Sequence, residues 1–391
     1  MRGWVASARE NAEMLPRPKG IPQVHADGVD ADRILLIGSG AVVGYGVFSY
    51  DLSLGGWLAR ALSTETERGV DVDIATRAGM TVASALDRLA TIPLWRYEAV
   101  IVAVGLNEAL DLTPANRWRS GMTRILDYLG KHTTRGTEIV VLGIPPMHSM
   151  PAMLGPMGRI AQHHAGKLDA VSADLCAPRT HAHFVSLNAP VIPLQHDVPG
   201  GDDYRIAAEV IGAFVAPKLR RAHEHPYRDG VRVRGFISEE RRQRSVDAFR
   251  ATDPQLLHRS VALARELFGT GAAVFSLIDG DTSRHLVHLG IPHEEVDRSL
   301  TFCNVTIQGR GAMIVPDATA DARFADNPFV TGDPYIRFYA GFPIEAPGGE
   351  PIGALCVLDP QPRAASQVDK VLLRRLALQL QQQLHGELVL R

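Results

Sequence analysis

The residues whose types and spacing could support chemistry lie first in a glycine-rich segment, Gly38 to Val47, which contains Ser39. Backbone N–H groups in such a run can cradle a phosphate at a helix N-terminus. The segment lacks the Gly-Lys-Ser/Thr of a P-loop. Its glycines fall at positions 38, 40, 44 and 46, which departs from Gly-x-Gly-x-x-Gly. The spacing therefore gives only weak support for a nucleotide site.

The histidines and cysteines indicate neither a metal site nor a disulfide framework. The segments His163-His164 and His181-Ala182-His183 have no carboxylate or cysteine at ligand spacing, so we interpret these histidines as solvated. The chain has three cysteines, far apart in the sequence: Cys176, Cys303 and Cys356. Cys356 lies inside an apolar strand and Cys303 follows Phe302, which is typical of small core residues. We predict no metal and no cofactor.

The N-terminal half alternates short apolar runs with helical patterns, which predicts a three-layer α/β/α domain around a parallel sheet. The runs interpreted as strands are Arg33–Gly38, Val70–Ala75, Ala99–Gly105, Glu138–Gly143 and His183–Leu187. Function in such sheets gathers at the carboxyl ends of the strands. The turns to inspect therefore begin at Gly38, Arg77 and Gly105.

These three turns, in this order, resemble those of the SGNH (GDSL-type) hydrolases, a family of esterases and acyltransferases. The resemblance covers about Asp32 to Leu219. It implies that Asn107, in a segment similar to the family's Gly-x-Asn-Asp block, helps to hold an oxyanion, and that the backbone N–H of Gly79 points at the same oxygen. Such a donor can lower a barrier by about 2.7–4 kcal/mol. The alternative is that Gly79 and Asn107 only shape turns.

The nucleophile position departs from the family pattern, Gly-Asp-Ser with a glycine four residues later. Alignment on Gly38 and Gly44 places Ser39 at the aspartate position and Gly40 at the serine position. No acyl-enzyme can form on a glycine. A shifted register would make Ser39 the nucleophile. Otherwise, Ser39 stabilises the turn or caps a helix.

The general base departs from the pattern as well, because the family ends with Asp-x-x-His-Pro. Counting back from Pro199 places Val198 at the histidine position and Gln195 at the aspartate position. His196 lies nearby and could act as the base if this loop is remodelled. A displaced serine and a displaced histidine together argue against a conventional triad.

The C-terminal half has another pattern, in which short strands bounded by Gly, Pro or Asp are flanked by helices. It predicts an α+β domain with an antiparallel sheet. From about Ser238 to Arg391 the chain closely resembles the GAF domain, a small-molecule-sensing module. The segments that carry the resemblance, in family order, are FSLIDGDTSRHLVHLG, LTFCNVTI, VPDATADARFADNPFV, IRFYAGFPI and PIGALCVLD.

A ligand pocket in this half would lie between the sheet and the loops Ser299–Gly311 and Asp317–Arg337. The predicted ligand contacts are Asp317, Arg323, Asp326, Arg337 and Tyr339. The alternative is that Asp317 caps a turn and that Arg323 pairs with Asp326 or Asp321. Nothing around the cysteines reproduces a bilin attachment loop, so no pigment is expected.

Bulk properties predict a cytoplasmic protein without nucleic-acid or membrane partners. The net charge is −2, and charged residues make up 21% of the chain, so no strongly basic surface is expected. No apolar run approaches the roughly 20 residues of a spanning helix, and the N-terminal residues do not have the pattern of a secretory signal. No kinase, cyclase or DNA-binding segment precedes Arg33 or follows Arg391, so we expect no output module.

The predicted domain limits are an extension at 1–31, the SGNH-like domain at 32–222, a linker at 223–237 and the GAF-like domain at 238–391. Apolar residues recur at helical spacing near the C-terminus: Val368, Val371, Leu372, Leu376, Leu380 and Leu384. This stripe predicts packing on the GAF sheet and, in part, pairing with a second subunit. We therefore expect a homodimer.

Three functional hypotheses remain open. In the first, the GAF-like domain captures a small molecule, and a degenerate SGNH-like domain supplies a second pocket or a partner surface. In the second, the chain is a GAF-regulated esterase or acyltransferase that uses Ser39 and His196 with Asn107 and Gly79. Glycine at position 40 favours the first hypothesis. In the third, both domains form a scaffold with neither ligand nor chemistry.

Overall fold

The computed structural model describes residues 10, 13–146, 155–187, 201–224, 239–249, 254–292 and 295–389. The chain forms two compact units, Met1–Gly235 and Phe236–Arg391. Each unit has its own β-sheet and its own buried apolar clusters. No helix within the described ranges is long and apolar enough to cross a membrane.

The first unit contains a sheet with the strand order β1-β3-β2-β4-β5-β6. Its strands are β1 (Gln23–Ala26), β2 (Asp32–Gly38), β3 (Val70–Thr76), β4 (Ala99–Ala103), β5 (Glu138–Leu142) and β6 (Ala182–Val185). Strands β2 to β6 pair in parallel, which confirms the predicted parallel sheet. Strand β1 pairs with β3 in antiparallel register and lies in a segment where the sequence pattern predicted no strand.

Helices cover both faces of this sheet: α1 (Leu54–Thr66), α2 (Val82–Leu89), α3 (Leu106–Leu110), α4 (Ala115–His132), α5 (Pro156–Cys176) and α6 (Gly201–Glu224). Leu35 of β2 packs in one apolar cluster with residues of α2, α4 and α5. Leu36 packs in the opposite cluster with residues of α1 and α6. Successive strand residues point to opposite faces, and this alternation produces the three layers.

The second unit contains an antiparallel sheet with the strand order β10-β11-β12-β7-β8-β9. Its strands are β7 (Ala272–Asp279), β8 (Thr282–Leu289), β9 (Glu295–Asp297), β10 (Met313–Val315), β11 (Phe338–Glu345) and β12 (Pro351–Asp359). The antiparallel sheet predicted from the sequence is confirmed.

The helices of this unit are α7 (Glu239–Phe249), α8 (Pro254–Phe268), α9 (Phe302–Thr306), α10 (Pro328–Thr331) and α11 (Lys370–Val389). Leu376, Leu380 and Leu384 of α11 pack with α8 against one face of the sheet, as the apolar stripe predicted. Phe302 of α9 and Tyr339 of β11 belong to a separate cluster on the other face. That second face is the one that contains a cavity.

Candidate functional site

The glycine-rich turn of the first unit is fixed to the ends of two neighbouring strands. Ser39 N donates to Ala103 O at the end of β4 (3.0 Å), and Thr76 Oγ1 at the end of β3 donates to Gly38 O (3.0 Å). A Cβ at Gly38 would clash with the Ala103 carbonyl, so this close approach of β2 to β4 requires glycine. The turn is therefore held at the carboxyl edge of the sheet, where a catalytic group would have to lie.

Ser39 is buried, with 3% of its surface exposed, and its hydroxyl has no hydrogen-bond partner among the described residues. It precedes the short 3-10 helix Gly40–Val43, but its side chain does not cap that helix. Ser39 therefore occupies the N-cap position without the side-chain hydrogen bond that a capping serine makes. No imidazole of the described part of the chain lies within hydrogen-bond reach of Ser39 Oγ. His196, the predicted base, lies outside the described residues.

Gly40, at the family's serine position, has a left-handed backbone with φ +61°. A Cβ there would lie 3.2 Å from Leu106 Cδ2, which is tighter than an ordinary van der Waals contact. L-residues pay a steric penalty in this conformation and glycine does not. The turn therefore favours glycine at position 40, the position that the sequence alignment predicts for the nucleophile.

Asn107 and Gly79 are brought together, but through contacts within a turn. Asn107 is buried at the start of α3, and its Nδ2 donates to Ala78 O (3.3 Å) and Met80 O (3.0 Å). An amide nitrogen has two N–H groups, so these two bonds use both. Gly79 lies exposed at the tip of the loop that Asn107 holds, and a Cβ there would meet no described atom within 4 Å. In this arrangement Asn107 positions the Gly79 loop, and a role for either residue in an oxyanion hole stays a prediction.

Two buried carboxyl groups near this edge were not identified from the sequence. Glu108 Oε1 accepts a hydrogen bond from Val82 N at the start of α2 (2.7 Å). Burial raises the pKa of Glu108, although this hydrogen bond by itself lowers it. Asp169 Oδ1 accepts from Ile144 N (3.0 Å), and burial raises the pKa of Asp169 to about 6. The other oxygen of each carboxyl has no hydrogen-bond partner within the described ranges. Glu108 was detectable as the acidic residue of the Gly-x-Asn-Asp-like block, whereas Asp169 carries no motif.

The second unit has a cavity of about 50 Å³ on the sheet face beneath α9. It is lined by Val274, His285, Ile291, Val296, Leu300, Thr301, Phe302, Cys303, Phe329, Pro334, Ile336, Tyr339, Cys356 and Leu358. Half-buried residues such as His285 and Leu300 form its rim, so it reaches the surface there. A water needs at least about 10–15 Å³ of such space, and benzene occupies a cavity of roughly 150 Å³. As it stands, the cavity suits a molecule of a few heavy atoms.

Tyr339 lines this cavity, whereas the other predicted ligand residues do not. Asp317 Oδ1 accepts from the Thr319 hydroxyl (2.6 Å) and backbone N–H (3.0 Å), and these bonds lower the pKa of Asp317. These are the contacts expected if Asp317 caps a turn, which was the alternative to ligand binding.

The remaining predicted residues hold or flank the same loop. Arg323 forms a two-bond pair with Asp321 at 2.9 and 2.6 Å. Arg337 donates to Val330 O (2.6 Å), and Asp326 is exposed. These contacts build the loop beside the cavity. Ligand contact by Asp317, Arg323, Asp326 or Arg337 stays a prediction.

The structure brings together two cysteines that the sequence separates by 53 positions. Cys303 Sγ and Cys356 Sγ lie 3.6 Å apart, both buried in the cavity wall. Each is a buried residue, as predicted, but the pairing was missed. A partial signal existed, because Cys356 alternates with other inward residues of a strand. The position of α9 over that strand is a long-range contact that local spacing does not report.

Comparison with known proteins identifies both units. Residues 36–226 match the family model of the GDSL-like lipase/acylhydrolases, and residues 254–384 match that of the GAF domain. The chain joins a GDSL-like domain to a GAF domain. A cyclic di-GMP phosphodiesterase from Pseudomonas aeruginosa is 38% identical over 109 residues, which is 28% of this chain. The match spans 19% of that relative's length.

Solved structures similar to this chain divide between the two domains. A lipase/acylhydrolase from Enterococcus faecalis is 17% identical with a TM-score of 0.39. The aligned region covers 48% of this chain and 96% of the lipase/acylhydrolase chain. A free methionine-R-sulfoxide reductase from Neisseria meningitidis is 18% identical with a TM-score of 0.31. The aligned region covers 39% of this chain and 89% of the reductase chain. The fold assignment rests on the sheet topologies and the family models.

Proposed function

We propose that this chain is a small-molecule-sensing regulatory protein whose GAF domain binds the ligand and whose GDSL-like domain does not hydrolyse esters. The proposal is supported by the left-handed backbone of Gly40, which the alignment on Gly38 and Gly44 places at the nucleophile position. Without a side chain at that point, the domain keeps the shape of a hydrolase and lacks the atom that attacks the ester. It then serves as a second pocket or as a surface for a partner.

The GAF domain supplies the sensing site in this proposal. Its cavity opens to solvent at a half-buried rim, and its walls are almost entirely apolar. Tyr339, Thr301 and His285 provide the few polar groups that could orient a ligand. This combination of apolar walls and sparse polar groups is characteristic of small-molecule sites. The ligand is therefore expected to be small and largely apolar.

A signalling role is supported by the match to the cyclic di-GMP phosphodiesterase, which shares 38% identity over 109 residues. Cyclic di-GMP turnover belongs to that relative. For this chain, we propose only that ligand occupancy of the GAF domain is coupled to a regulatory output.

An esterase that uses Ser39 is the second candidate, because one observation favours it. Ser39 Oγ is buried at the carboxyl edge and has no hydrogen-bond partner among the described residues, so its lone pairs are not committed elsewhere. Against it, the hydroxyl has no described base beside it, and an unactivated serine is a weak nucleophile.

Hydrolysis of p-nitrophenyl acetate by the wild type and by Ser39→Ala separates these two functions. Ser49→Ala is the matched control, because Ser49 is a nearby serine whose hydroxyl bonds Asp51 at the surface. We expect none of the three proteins to exceed the buffer rate, and none to be labelled by a fluorophosphonate. Hydrolysis and labelling that persist in Ser49→Ala and vanish in Ser39→Ala would establish the esterase instead.

Xenon binding followed by NMR tests the sensing site, because xenon enters small apolar cavities. Leu300→Phe places a larger side chain at the cavity rim, and Leu289→Phe adds the same bulk on β8 away from the cavity lining. Xenon should shift resonances of Val274 and Leu358 in the wild type and in Leu289→Phe, but not in Leu300→Phe. Equal shifts in all three proteins would contradict a ligand site in this cavity.

The homodimer is also kept as a proposal. Leu376, Leu380 and Leu384 of α11 are buried within the GAF domain, whereas Leu263 and Leu267 of α8 are 38% and 51% exposed and are available for an intermolecular contact. Light scattering of the full chain and of a Leu263→Glu/Leu267→Glu variant measures the mass directly. A dimer that the double variant converts to a monomer would support pairing through α8.

A further inference from the structure

The two sulfurs in the GAF cavity are held by different parts of the fold. Cys356 lies in the middle of β12, between Val274 of β7 and Gly341 of β11 in the sheet register. Cys303 lies on α9, a five-residue helix above that face. Their separation of 3.6 Å exceeds a disulfide bond of about 2.05 Å by roughly 1.5 Å. A small displacement of α9 toward the strand would therefore bring the sulfurs to bonding distance.

A phenol is positioned against one of these sulfurs. Tyr339 Oη donates to Cys303 Sγ (3.7 Å) and lies 2.5 Å from Thr306 Oγ1. Gly341 makes this possible, because a Cβ at that position would clash with the Tyr339 hydroxyl. The Thr306 hydroxyl donates to Phe302 O (3.1 Å). The proton near the sulfur is therefore that of Tyr339, which lies between Thr306 Oγ1 and Cys303 Sγ. When Cys303 ionises, this phenol can donate to the thiolate and stabilise its charge.

The electrostatics differ between the two thiols. The hydrogen bond with Cys356 lowers the pKa of Cys303, against the desolvation that burial imposes. The same contact and burial raise the pKa of Cys356 well above its ordinary value. Burial also raises the pKa of Tyr339, so the phenol stays protonated and remains a donor. Cys303 is thus the thiol that ionises first, and Cys356 remains protonated beside it.

We propose that Cys303 and Cys356 form a redox modification site that reduces a small hydroperoxide and closes to a disulfide. The Cys303 thiolate attacks the terminal peroxide oxygen, the O–O bond breaks, and the departing alkoxide or hydroxide takes up the proton that Cys303 released. The Cys303 sulfenic acid is then attacked by the Cys356 sulfur, which forms the S–S bond and releases water that carries the Cys356 proton. Two thiols lose two electrons, and one hydroperoxide becomes water and an alcohol, or two waters.

The cavity selects the oxidant by size. Hydrogen peroxide has only two heavy atoms and fits a space of about 50 Å³, whereas a peptide disulfide such as oxidised glutathione does not. Cys176 provides the contrast within the same chain. It is buried, burial raises its pKa to about 11, and it lies in the GDSL-like domain. We expect Cys176 to remain reduced under conditions that oxidise the pair.

This inference goes beyond the proposed function, because a hydroperoxide is a reactant and not the apolar ligand expected above, and it rests on that function only for an accessible GAF cavity. The experiment treats the reduced full-length chain with stoichiometric hydrogen peroxide and follows it by intact mass and peptide mapping. The wild type and the matched control Cys176→Ser should each lose two hydrogen atoms and yield a peptide that joins Cys303 to Cys356. Cys356→Ser should stop at a sulfenic acid at Cys303, which dimedone labels once the oxidised protein is unfolded in urea, because the cavity is too small to admit dimedone in the folded chain. Cys303→Ser should be oxidised by hydrogen peroxide at least about tenfold more slowly than the wild type.

Tyr339→Phe tests the donor to Cys303 without touching either sulfur. Loss of a hydrogen bond to a charged group is expected to slow disulfide formation about tenfold or more and to move its pH dependence to higher pH. Circular dichroism checks that each variant is folded. Wild-type protein that keeps both thiols, or that oxidises without the Cys303–Cys356 link, overturns the inference. If that protein still binds xenon in the cavity, the sensing proposal survives; if it does not, both fail.

Discussion

The carboxyl edge of the GDSL-like domain and the cavity of the GAF domain show opposite relations between motif and chemistry. At the edge, the family motif is recognisable, but the sequence alignment predicts glycine at the nucleophile position, and the Asn107 amide donates to two carbonyls of a turn. In the cavity, no motif marks the site, yet two thiols and a phenol converge within 4 Å. A retained motif thus reports shared architecture, whereas reactivity depends on which side chains the packing brings together.

The largest effect is expected in the aromatic stack beneath the cavity. Phe302 stacks between Phe324 (4.1 Å) and Tyr339 (5.0 Å) and is 3% exposed. Phe302→Ala should destabilise the GAF domain by about 3–5 kcal/mol, through lost burial and an enlarged cavity. Urea unfolding of the full chain measures this, with Phe48→Ala as a control at a phenylalanine that is 75% exposed. A loss below about 1 kcal/mol would mean that the cavity wall is not the packed structure described above.

Asn107→Ala sharpens the comparison at the other site. Removing the amide leaves the Ala78 and Met80 carbonyls without their donor, which should destabilise the GDSL-like domain by about 1–3 kcal/mol. Thermal unfolding monitored in the same buffer as an esterase assay gives both readouts. If Asn107→Ala instead keeps its stability and loses a measurable hydrolysis, Asn107 is an oxyanion donor and the edge is catalytic.

Asp169→Asn probes the buried carboxyl group near that edge. The pKa of Asp169 is raised to about 6 in the folded chain, compared with about 3.9 when unfolded, so its favourable contribution is complete below the unfolded pKa and is lost as pH rises through about 6. The free energy of unfolding of Asp169→Asn should therefore rise by about 1–2 kcal/mol relative to that of the wild type between about pH 4 and about pH 7.5. Stability curves across that range measure it. A pH-independent difference would contradict the raised pKa.

Gly40→Ser has the smallest expected effect on stability. The left-handed backbone and the 3.2 Å approach to Leu106 should cost about 1 kcal/mol, and no ester hydrolysis should appear. The assay uses p-nitrophenyl acetate, with Gly40→Ala as the control for strain alone. Hydrolysis by the serine variant and not by the alanine variant would mean that one hydroxymethyl side chain separates this domain from an active enzyme.

Both folds could be predicted from the sequence because the apolar spacing is local. Runs such as Ala99–Ala103 and Pro351–Asp359 lie where the pattern placed strands. Strand β1 was not predicted, because four residues with two buried side chains carry little periodic signal. The turn-capping alternative for Asp317 was readable from Asp followed two residues later by Thr319, an Asx-type arrangement.

The sites were less predictable, because burial and long-range contact decide them. The Cys303–Cys356 pair depends on how α9 lies over β12, and the raised pKa of Asp169 depends on desolvation. Neither is encoded in nearby residues. Ser39 could be located at the strand end, but the absence of a capping bond could only be seen once the turn had coordinates.

The bare backbone of Gly341 has a consequence for natural variation in this protein. The Tyr339 hydroxyl lies where a methyl group would be if position 341 were alanine. A sequence that substituted alanine there would keep both sulfurs while its phenol was pushed away from them. Among homologues, joint retention of glycine, tyrosine and both cysteines would therefore be a stricter signature of peroxide sensitivity than the cysteines alone.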